Sequence, residues 1–287
     1  MYDPLESDDQ LRTALLEVEG WEKEQNDLWF WEKLGRLPFL LLDKITPKFI
    51  QQKLGAAVDE VGSYIQTGGQ YLISERSILS KLEHHAGIQA GTLSSGNHSA
   101  AAIIPLIAMD RTVDELSSSR ANLATIQGAT TGIGGIFTLA ADIPAILGLS
   151  LKIIQEIAIA YGYDPKQKSE RIFAVKCLQF ASSDIVGKRA ILAELSVFGQ
   201  DKGGQQMLSQ LQGWREVVAA YRDNFGWKKL FQLIPIAGIL FGAIINRGML
   251  NDVAEASKML YRKRRIIERL AQSSGQNANG SKAEGAE

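Results

Sequence analysis

Three aspartates are the residues of this sequence best suited to acid–base chemistry or to metal binding. Asp110 and Asp114 are four residues apart, so a helix would place them on one face, and Asp142 interrupts an apolar stretch. Two carboxylates in one site can hold a divalent cation, and burial can raise the pKa of one of them for acid–base work. The plainer interpretation is a solvated helix face at Asp110 and Asp114 and a helix N-cap at Asp142. The sequence leaves both interpretations open.

The few histidines and the single cysteine argue against other metal or nucleophilic chemistry. The chain has 3 His and 1 Cys, and Cys177 lies among apolar residues. His84 and His85 could be ligands together with His98 or a carboxylate, but their spacing matches no zinc pattern. The sequence contains no GxxxxGK[ST] loop for phosphate. We therefore predict no metal, no cofactor and no catalytic residue, and an enzyme is the less favoured interpretation.

Length and charge narrow the class of protein further. The 287 residues carry 31 Lys and Arg against 32 Asp and Glu, which gives a formal net charge of -1. This balance provides no global attraction to nucleic acid, and we predict no nucleic-acid partner. The start of the chain is acidic, unlike the basic region of a secretory signal, so we expect a cytoplasmic protein.

The elements that position these residues are predicted to be helices. Apolar residues recur every three or four positions along most of the chain, as in the run Met207, Leu211, Trp214, Val218, Tyr221 and Phe225. We predict an all-α fold with one domain of roughly nine or ten helices. An acidic N-terminal helix would occupy residues 1–27 and the helical domain residues 28–270. Residues 271–287 lack Val, Ile, Leu and aromatic side chains and are predicted to be disordered.

Two long apolar stretches dominate the middle and the end of the chain. Residues 121–151 contain one charged residue, Asp142, and residues 230–246 contain none. At about 1.5 Å per helical residue, each could approach the apolar thickness of a bilayer. Asp142 and Pro144 instead predict two shorter helices, 121–139 and 143–160, that form a Gly-rich apolar hairpin. A buried core hairpin and membrane insertion both stay open.

Small residues spaced four apart predict close contacts between helices. Small side chains at this spacing let two backbones approach closely, in water or in a membrane. The residues assigned to such packing contacts are Gly128 and Gly132 in the first stretch and Gly238, Gly242 and Asn246 in the second.

Two further segments are candidates for contact with a membrane surface. Residues 28–42 combine Trp29, Trp31 and Phe39 with leucines and two basic residues, a composition typical of interfacial segments, although the same residues could form a lid over the core. Near the C-terminus, basic residues step by four, three and four along one predicted helix face. This stripe consists of Lys258, Arg262, Arg265 and Arg269. It could bind anionic lipid or could face water.

Several motifs in a fixed order carry a resemblance to a known family. They are the glycines at 128–135, the sequence ADIP at 141–144, IQEI at 154–157 leading into YGYDP at 161–165, and PIAG at 235–238. The block from Gln127 to Pro165 resembles the bacterial EcsC family, and further support comes from Met109-Asp110-Arg111 and from Tyr261-Arg262. The resemblance extends over roughly residues 28–270.

The resemblance implies a function linked to membranes but supplies no catalytic motif. The family is named for its occurrence beside the subunits of an ABC transporter. We therefore expect a membrane-peripheral adaptor or regulator at the inner face of the plasma membrane, with an anionic membrane surface or an integral membrane protein as partner. The alternative is a soluble protein that binds a lipid or amphiphile, or a hydrolase, with an apolar pocket near Asp142.

Overall fold

The computed structural model describes residues 6–25, 61–68, 73–94, 96–98, 101, 103–131, 143–183, 185–196 and 249–284. Within these residues the chain is all-helical and has no strand, which confirms the predicted fold class. Seven helices have defined ends: α1 Asp8–Glu24, α2 Glu75–Ala86, α3 Leu106–Thr131, α4 Ile143–Ala160, α5 Lys168–Ser182, α6 Ile185–Ser196 and α7 Met249–Glu284. Residues 61–67 are also helical. The predicted nine or ten helices are thus not confirmed by the part of the chain that is described.

Helix α7 lies at the centre of the fold and packs against α1, α3, α4 and α5. Its apolar face buries Val253, Ala254, Leu260, Tyr261 and Ile266, which recur at helical spacing. The second layer forms because α2 packs on α3 and α4, and α5 packs on α4 and α6. Residues in contact with α7 therefore come from four helices that are distant in the sequence.

Helix α1 begins with a capping box. The Ser7 hydroxyl accepts from the Gln10 backbone N–H at 3.2 Å, and the Gln10 side chain accepts from the Ser7 N–H at 2.8 Å. Two N–H groups of the first turn are thereby satisfied, and Asp8 and Asp9 favour the positive end of the helix dipole. The helix buries Leu11, Ala14 and Val18.

The turn after α4 explains the YGYDP motif. Gly162 has φ of 79°, a left-handed conformation that favours glycine. The Tyr163 N–H donates to the Ala158 carbonyl at 2.9 Å and the Gly162 N–H to the Ile159 carbonyl at 2.9 Å, which is a Schellman motif. The turn ends α4 and places Tyr161 and Tyr163 beside α7.

The predicted apolar hairpin is supported only at its second helix. That helix has the predicted ends, 143 and 160, whereas the helix before it begins at Leu106 instead of residue 121. The earlier start follows from Pro105, which cannot continue a helix on its N-terminal side but suits the position before a first turn. Residues 132–142, including Gly132 and Asp142, lie outside the described residues, while Gly128 lies within α3. None of the helices described is long and apolar enough for a membrane span.

The C-terminal segment differs from its prediction as well. The structure continues α7 to Glu284, although the sequence predicts disorder over 271–287. The extension starts from the packed part of α7, which removes the cost of nucleation, although Ser, Gly and Asn in this segment are poor helix formers.

Candidate functional site

Two of the three carboxylates predicted to do chemistry, Asp110 and Asp114, are each bound to a cation of α7. Asp110 accepts from the Tyr161 hydroxyl at 2.6 Å and from Arg262 Nε at 3.0 Å. Asp114 accepts from Lys258 Nζ at 2.6 Å. The two aspartates do share a helix, as predicted, but they do not form a paired-carboxylate site. The Asp114 side chain is 63% exposed, as on a solvated face, whereas that of Asp110 is 14% exposed, and Asp142 lies outside the described residues.

The residues around Asp110 join four helices. Arg262 donates from Nη2 to the Glu17 carboxylate of α1 at 2.9 Å, in addition to its bond with Asp110 of α3. Tyr161 follows α4 directly. We call Glu17, Asp110, Tyr161 and Arg262 the Asp110 cluster. Burial, followed by the Asp110 carboxylate, raises the pKa of Tyr161, so its hydroxyl stays protonated and acts as a donor.

A second cluster lies where α5 meets α7, and we call Tyr163, Glu170, Arg264, Arg265 and Glu268 the Glu170 cluster. Arg264 donates to both Glu170 oxygens, at 2.9 Å and 2.8 Å, and its guanidinium lies 4.1 Å from the centre of the Tyr163 ring. Arg265 donates from two nitrogens to the Tyr161 carbonyl, at 2.9 Å and 2.7 Å. The end of α4 is therefore held by α7.

Charge and burial act against each other inside the Glu170 cluster. Burial raises the pKa of Glu170, and the neighbouring Arg264 opposes this effect. Burial by itself would lower the pKa of Arg264, but Glu170, Tyr163 and Glu268 together outweigh it and the pKa is raised. Arg264 therefore keeps its charge, and the cluster is a buried, bidentate ion pair covered by an aromatic ring.

The basic stripe predicted to meet a membrane faces the protein interior instead. The side chains of Arg262, Arg265 and Arg269 are 13%, 7% and 8% exposed. Arg269 pairs with Glu6 and donates to the Ile104 carbonyl at 2.6 Å. The stripe is not an open surface in this structure, because Glu6, carboxylates of α1 and α3 and backbone carbonyls bind these cations, and its contact with a membrane stays a prediction. The other membrane candidates, Trp29, Trp31 and Phe39, lie outside the described residues, as do Gly238, Gly242 and Asn246.

The histidines do not converge on one site. His85 Nε2 lies 3.0 Å from a Glu115 oxygen, and the pKa of Glu115 is lowered by its hydrogen bonds with Lys81 and His85. His98 Nε2 lies 3.5 Å from both Glu75 and Asp164. Among the residues that the structure describes, no three His, Cys, Asp or Glu residues form a group that could hold a metal ion.

Cys177 is buried, and burial raises the pKa of its thiol, which disfavours a nucleophilic thiolate. This agrees with the sequence-based interpretation of a small core side chain.

Sequence reasoning missed the Glu170 cluster altogether. Glu170 occurs in an ordinary charged helix start, KSER, and no spacing rule connects it with Arg264, 94 residues later. One available signal was the density of arginines at 262–269, which exceeds what a helix end needs for its dipole.

Comparison with known proteins confirms the family that the sequence motifs resemble. The model of the EcsC protein family matches residues 12–266. The chain is 57% identical over 267 residues to the uncharacterized protein YdbA of Bacillus subtilis, covering 93% of this chain and 97% of that protein. It is 31% identical over 146 residues to protein EcsC of the same organism, covering 51% of this chain and 59% of that protein. No solved structure gives a significant match. The match begins inside α1, so the family region includes most of the helix that the sequence sets apart as residues 1–27.

Proposed function

Because the chain belongs to the EcsC protein family, we propose that it is a membrane-peripheral helical protein that acts as an adaptor or regulator of a membrane or transport process. The proposal rests on the composition of residues 28–42, in which tryptophans and leucines surround Lys33 and Arg36. Such segments bind at the level of lipid headgroups. The Asp110 and Glu170 clusters favour a scaffold role over an enzymatic one, because each of their charged groups is bound by an ion pair or hydrogen bond within the fold.

The position of the basic stripe favours a membrane contact made by apolar side chains over one made by charges. Since Arg262, Arg265 and Arg269 are engaged inside the fold, the contact would depend on aromatic and apolar side chains. Ile103, just before α3, and Ile107, in its first turn, are 58% and 59% exposed and would add apolar surface. Binding of this kind is insensitive to salt, whereas binding by a basic surface fades as salt shortens the Debye length.

Co-sedimentation with phosphatidylcholine vesicles tests the proposal. We expect the wild-type protein to pellet equally at low and high salt. A variant with Trp29→Ser, Trp31→Ser and Phe39→Ser should stay in the supernatant. The matched control is Trp29→Phe, Trp31→Phe and Phe39→Leu, which keeps the apolar character and should pellet. Absence of wild-type protein from the pellet, or equal pelleting of the serine variant, would contradict the proposal.

The alternative from the sequence has its own measurement. A carrier of lipid or amphiphile should retain its ligand through a detergent-free purification. Mass spectrometry of the extracted protein would then find a stoichiometric lipid, and Asp142→Ala should reduce its amount. A lipid-free protein that binds vesicles favours the adaptor.

A further inference from the structure

Residues 6–25 form an acidic segment that lies on the basic helix α7, and we call this segment the N-terminal cover. Its charges are strongly biased. Acidic residues are Glu6, Asp8, Asp9, Glu17, Glu19, Glu22 and Glu24, against Arg12 and Lys23. Over residues 249–270, α7 has the opposite bias. Basic residues are Lys258, Arg262, Lys263, Arg264, Arg265 and Arg269, against Asp252, Glu255 and Glu268.

Three ion pairs connect the cover with α7. Glu6 pairs with Arg269. Glu17 pairs with Arg262 at 2.9 Å. Both oxygens of Glu22 accept from Lys263 Nζ, at 2.8 Å and 2.7 Å. The carboxylates thus follow the helix and bind cations at positions 262, 263 and 269, as a row of lipid phosphates would.

The apolar packing of the cover is smaller than that of α5. Helix α1 buries Leu11, Ala14 and Val18, and its Leu15 and Trp21 are partly buried against the core, with the Trp21 ring 5.5 Å from that of Phe180. Helix α5 buries many more, including Ile172, Phe173, Leu178 and Phe180. Segments with few buried apolar contacts open at lower free energy than the core of a domain. The cover therefore buries fewer apolar side chains than α5 does, and ion pairs form a larger part of its contact with α7.

The arginines that face α5 would be unaffected by a separation of the cover from α7. Arg264 remains bound to Glu170 and Arg265 to the Tyr161 carbonyl, neither of which belongs to the cover. Arg262 would keep Asp110 but lose Glu17, while Lys263 and Arg269 would lose Glu22 and Glu6. Removal of the cover would thus expose a defined basic face and leave the centre of the fold intact.

We propose that the N-terminal cover masks an anion-binding face of α7, formed by Arg262, Lys263 and Arg269, and that the surface of a membrane rich in anionic lipid replaces it. This inference rests on the proposed function, since it names the membrane as partner. Guanidinium groups match phosphate oxygens in a bidentate geometry. Ile267, 48% exposed, lies on the same helix between the basic residues, and this mixture of apolar and basic side chains is typical of helices that bind at a membrane surface.

Charge-neutral variants of the cover test the inference. The variant Glu6→Gln, Glu17→Gln and Glu22→Gln keeps side-chain size and helix content but removes the three partners. The matched control, Asp9→Asn, Glu19→Gln and Glu24→Gln, changes the net charge equally at positions whose side chains form no ion pair among the described residues. We expect the first variant to bind vesicles of phosphatidylcholine and phosphatidylglycerol roughly tenfold more tightly than the wild type at low salt, since each exposed basic residue adds attraction. The control should match the wild type.

Further arms separate the outcomes. The gain should disappear at high salt, and it should disappear when Arg262→Gln, Lys263→Gln and Arg269→Gln are added. Equal gains in both triple variants, or a gain in neither, would overturn the inference. A gain on polyglutamate but not on vesicles would also overturn it, because the face would then bind acidic protein.

Two precautions keep the result interpretable. If the triple variant melts below the assay temperature, the single variant Glu17→Gln, at a carboxylate that is 60% exposed, should still show a smaller gain on anionic vesicles. Binding to pure phosphatidylcholine reports on the proposed function and should be the same in all of these variants. If the wild type does not bind phosphatidylcholine but the triple variant still binds anionic vesicles more tightly, the proposed aromatic contact is wrong and the masked basic face is supported.

Discussion

Helix α7 binds its arginines differently towards α5 and towards α1. Towards α5, Arg264 makes a bidentate pair with Glu170, whose side chain is 4% exposed, and lies against an aromatic ring. Towards α1, Arg262 divides its donors between Asp110 and Glu17, and the Glu17 side chain is 60% exposed, whereas the Glu6 and Glu22 side chains are each 13% exposed. A buried pair is costly to break, whereas an exposed pair contributes little. Arg264 thus makes a firm contact with α5, whereas the pair of Arg262 with Glu17 is the weak one on the α1 side.

The largest effect is expected where the pair is buried. Glu170→Ala would leave the Arg264 guanidinium charged inside the protein without its bidentate partner, and we expect a loss of about 3–5 kcal/mol in the free energy of unfolding. Glu170→Gln keeps one acceptor and should cost less. Chemical denaturation followed by circular dichroism measures both. If Glu170→Ala lowers the free energy of unfolding less than Glu17→Gln does, the Glu170–Arg264 pair is not more stabilising than the Glu17–Arg262 pair.

Asp110 should come next, because it serves two partners. Asp110→Ala removes the acceptor of the Tyr161 hydroxyl and one of the two carboxylates at Arg262, and we expect a cost of about 1–3 kcal/mol. Tyr161→Phe removes the hydroxyl alone and should cost about 1 kcal/mol. Since the residues form one network, the double variant should lose less than the sum of the two. Strict additivity in the double-mutant cycle would show that the two bonds are independent.

The sequence predicts features that depend on neighbouring residues better than contacts between residues far apart in the chain. The helical class and the ends of α4 follow from local signals, namely apolar spacing and a Pro in the first turn. The pairing of Asp110 with Arg262 joins residues 152 apart, and that of Glu22 with Lys263 joins residues 241 apart. Periodicity places Arg262 and Arg269 on one face of α7 but does not show whether that face meets water, lipid or an acidic helix.

The basic stripe illustrates the limit most clearly. A row of arginines at helical spacing is typical of a solvated or membrane-bound face, and that is what the sequence predicts. The acidic residues that cover it lie at 6–22, in a segment that the sequence assigns to a separate helix. The sequence shows an acidic segment near its start and a basic segment near its end. It does not show that the two bind each other, because this depends on how α1 packs on α7.

Glu83 provides a reference for the cost of losing a buried carboxylate, because it is buried but does not bind α7. It accepts from the Leu93 N–H at 2.6 Å and the Gly91 N–H at 3.0 Å, and these hydrogen bonds lower its pKa. Because the pKa is lowered in the folded state, the ionised carboxylate stabilises the fold at pH values above its ordinary pKa of 4.5. This stabilisation is lost as the pH falls through the pKa of the folded state. We expect Glu83→Gln to cost about 1–2 kcal/mol at pH 7. The difference from the wild type should shrink below pH 4.5, and a difference that is constant from pH 7 to pH 3 would contradict this.

The smallest effect is expected for the exposed pair of α1. Glu17→Gln removes one of the two carboxylates at Arg262, and because Glu17 is mostly in water, we expect a loss of about 0.2–1 kcal/mol. Arg262 keeps its bond with Asp110, so no buried charge is left alone. Glu24→Gln, an exposed position of the same helix, serves as the control and should change the free energy of unfolding less. The loss at Glu17 should vanish at 1 M salt, where screening acts on exposed pairs, while the loss at Glu170 should persist. If both losses respond equally to salt, the Glu17–Arg262 and Glu170–Arg264 pairs do not differ in burial as the structure has it.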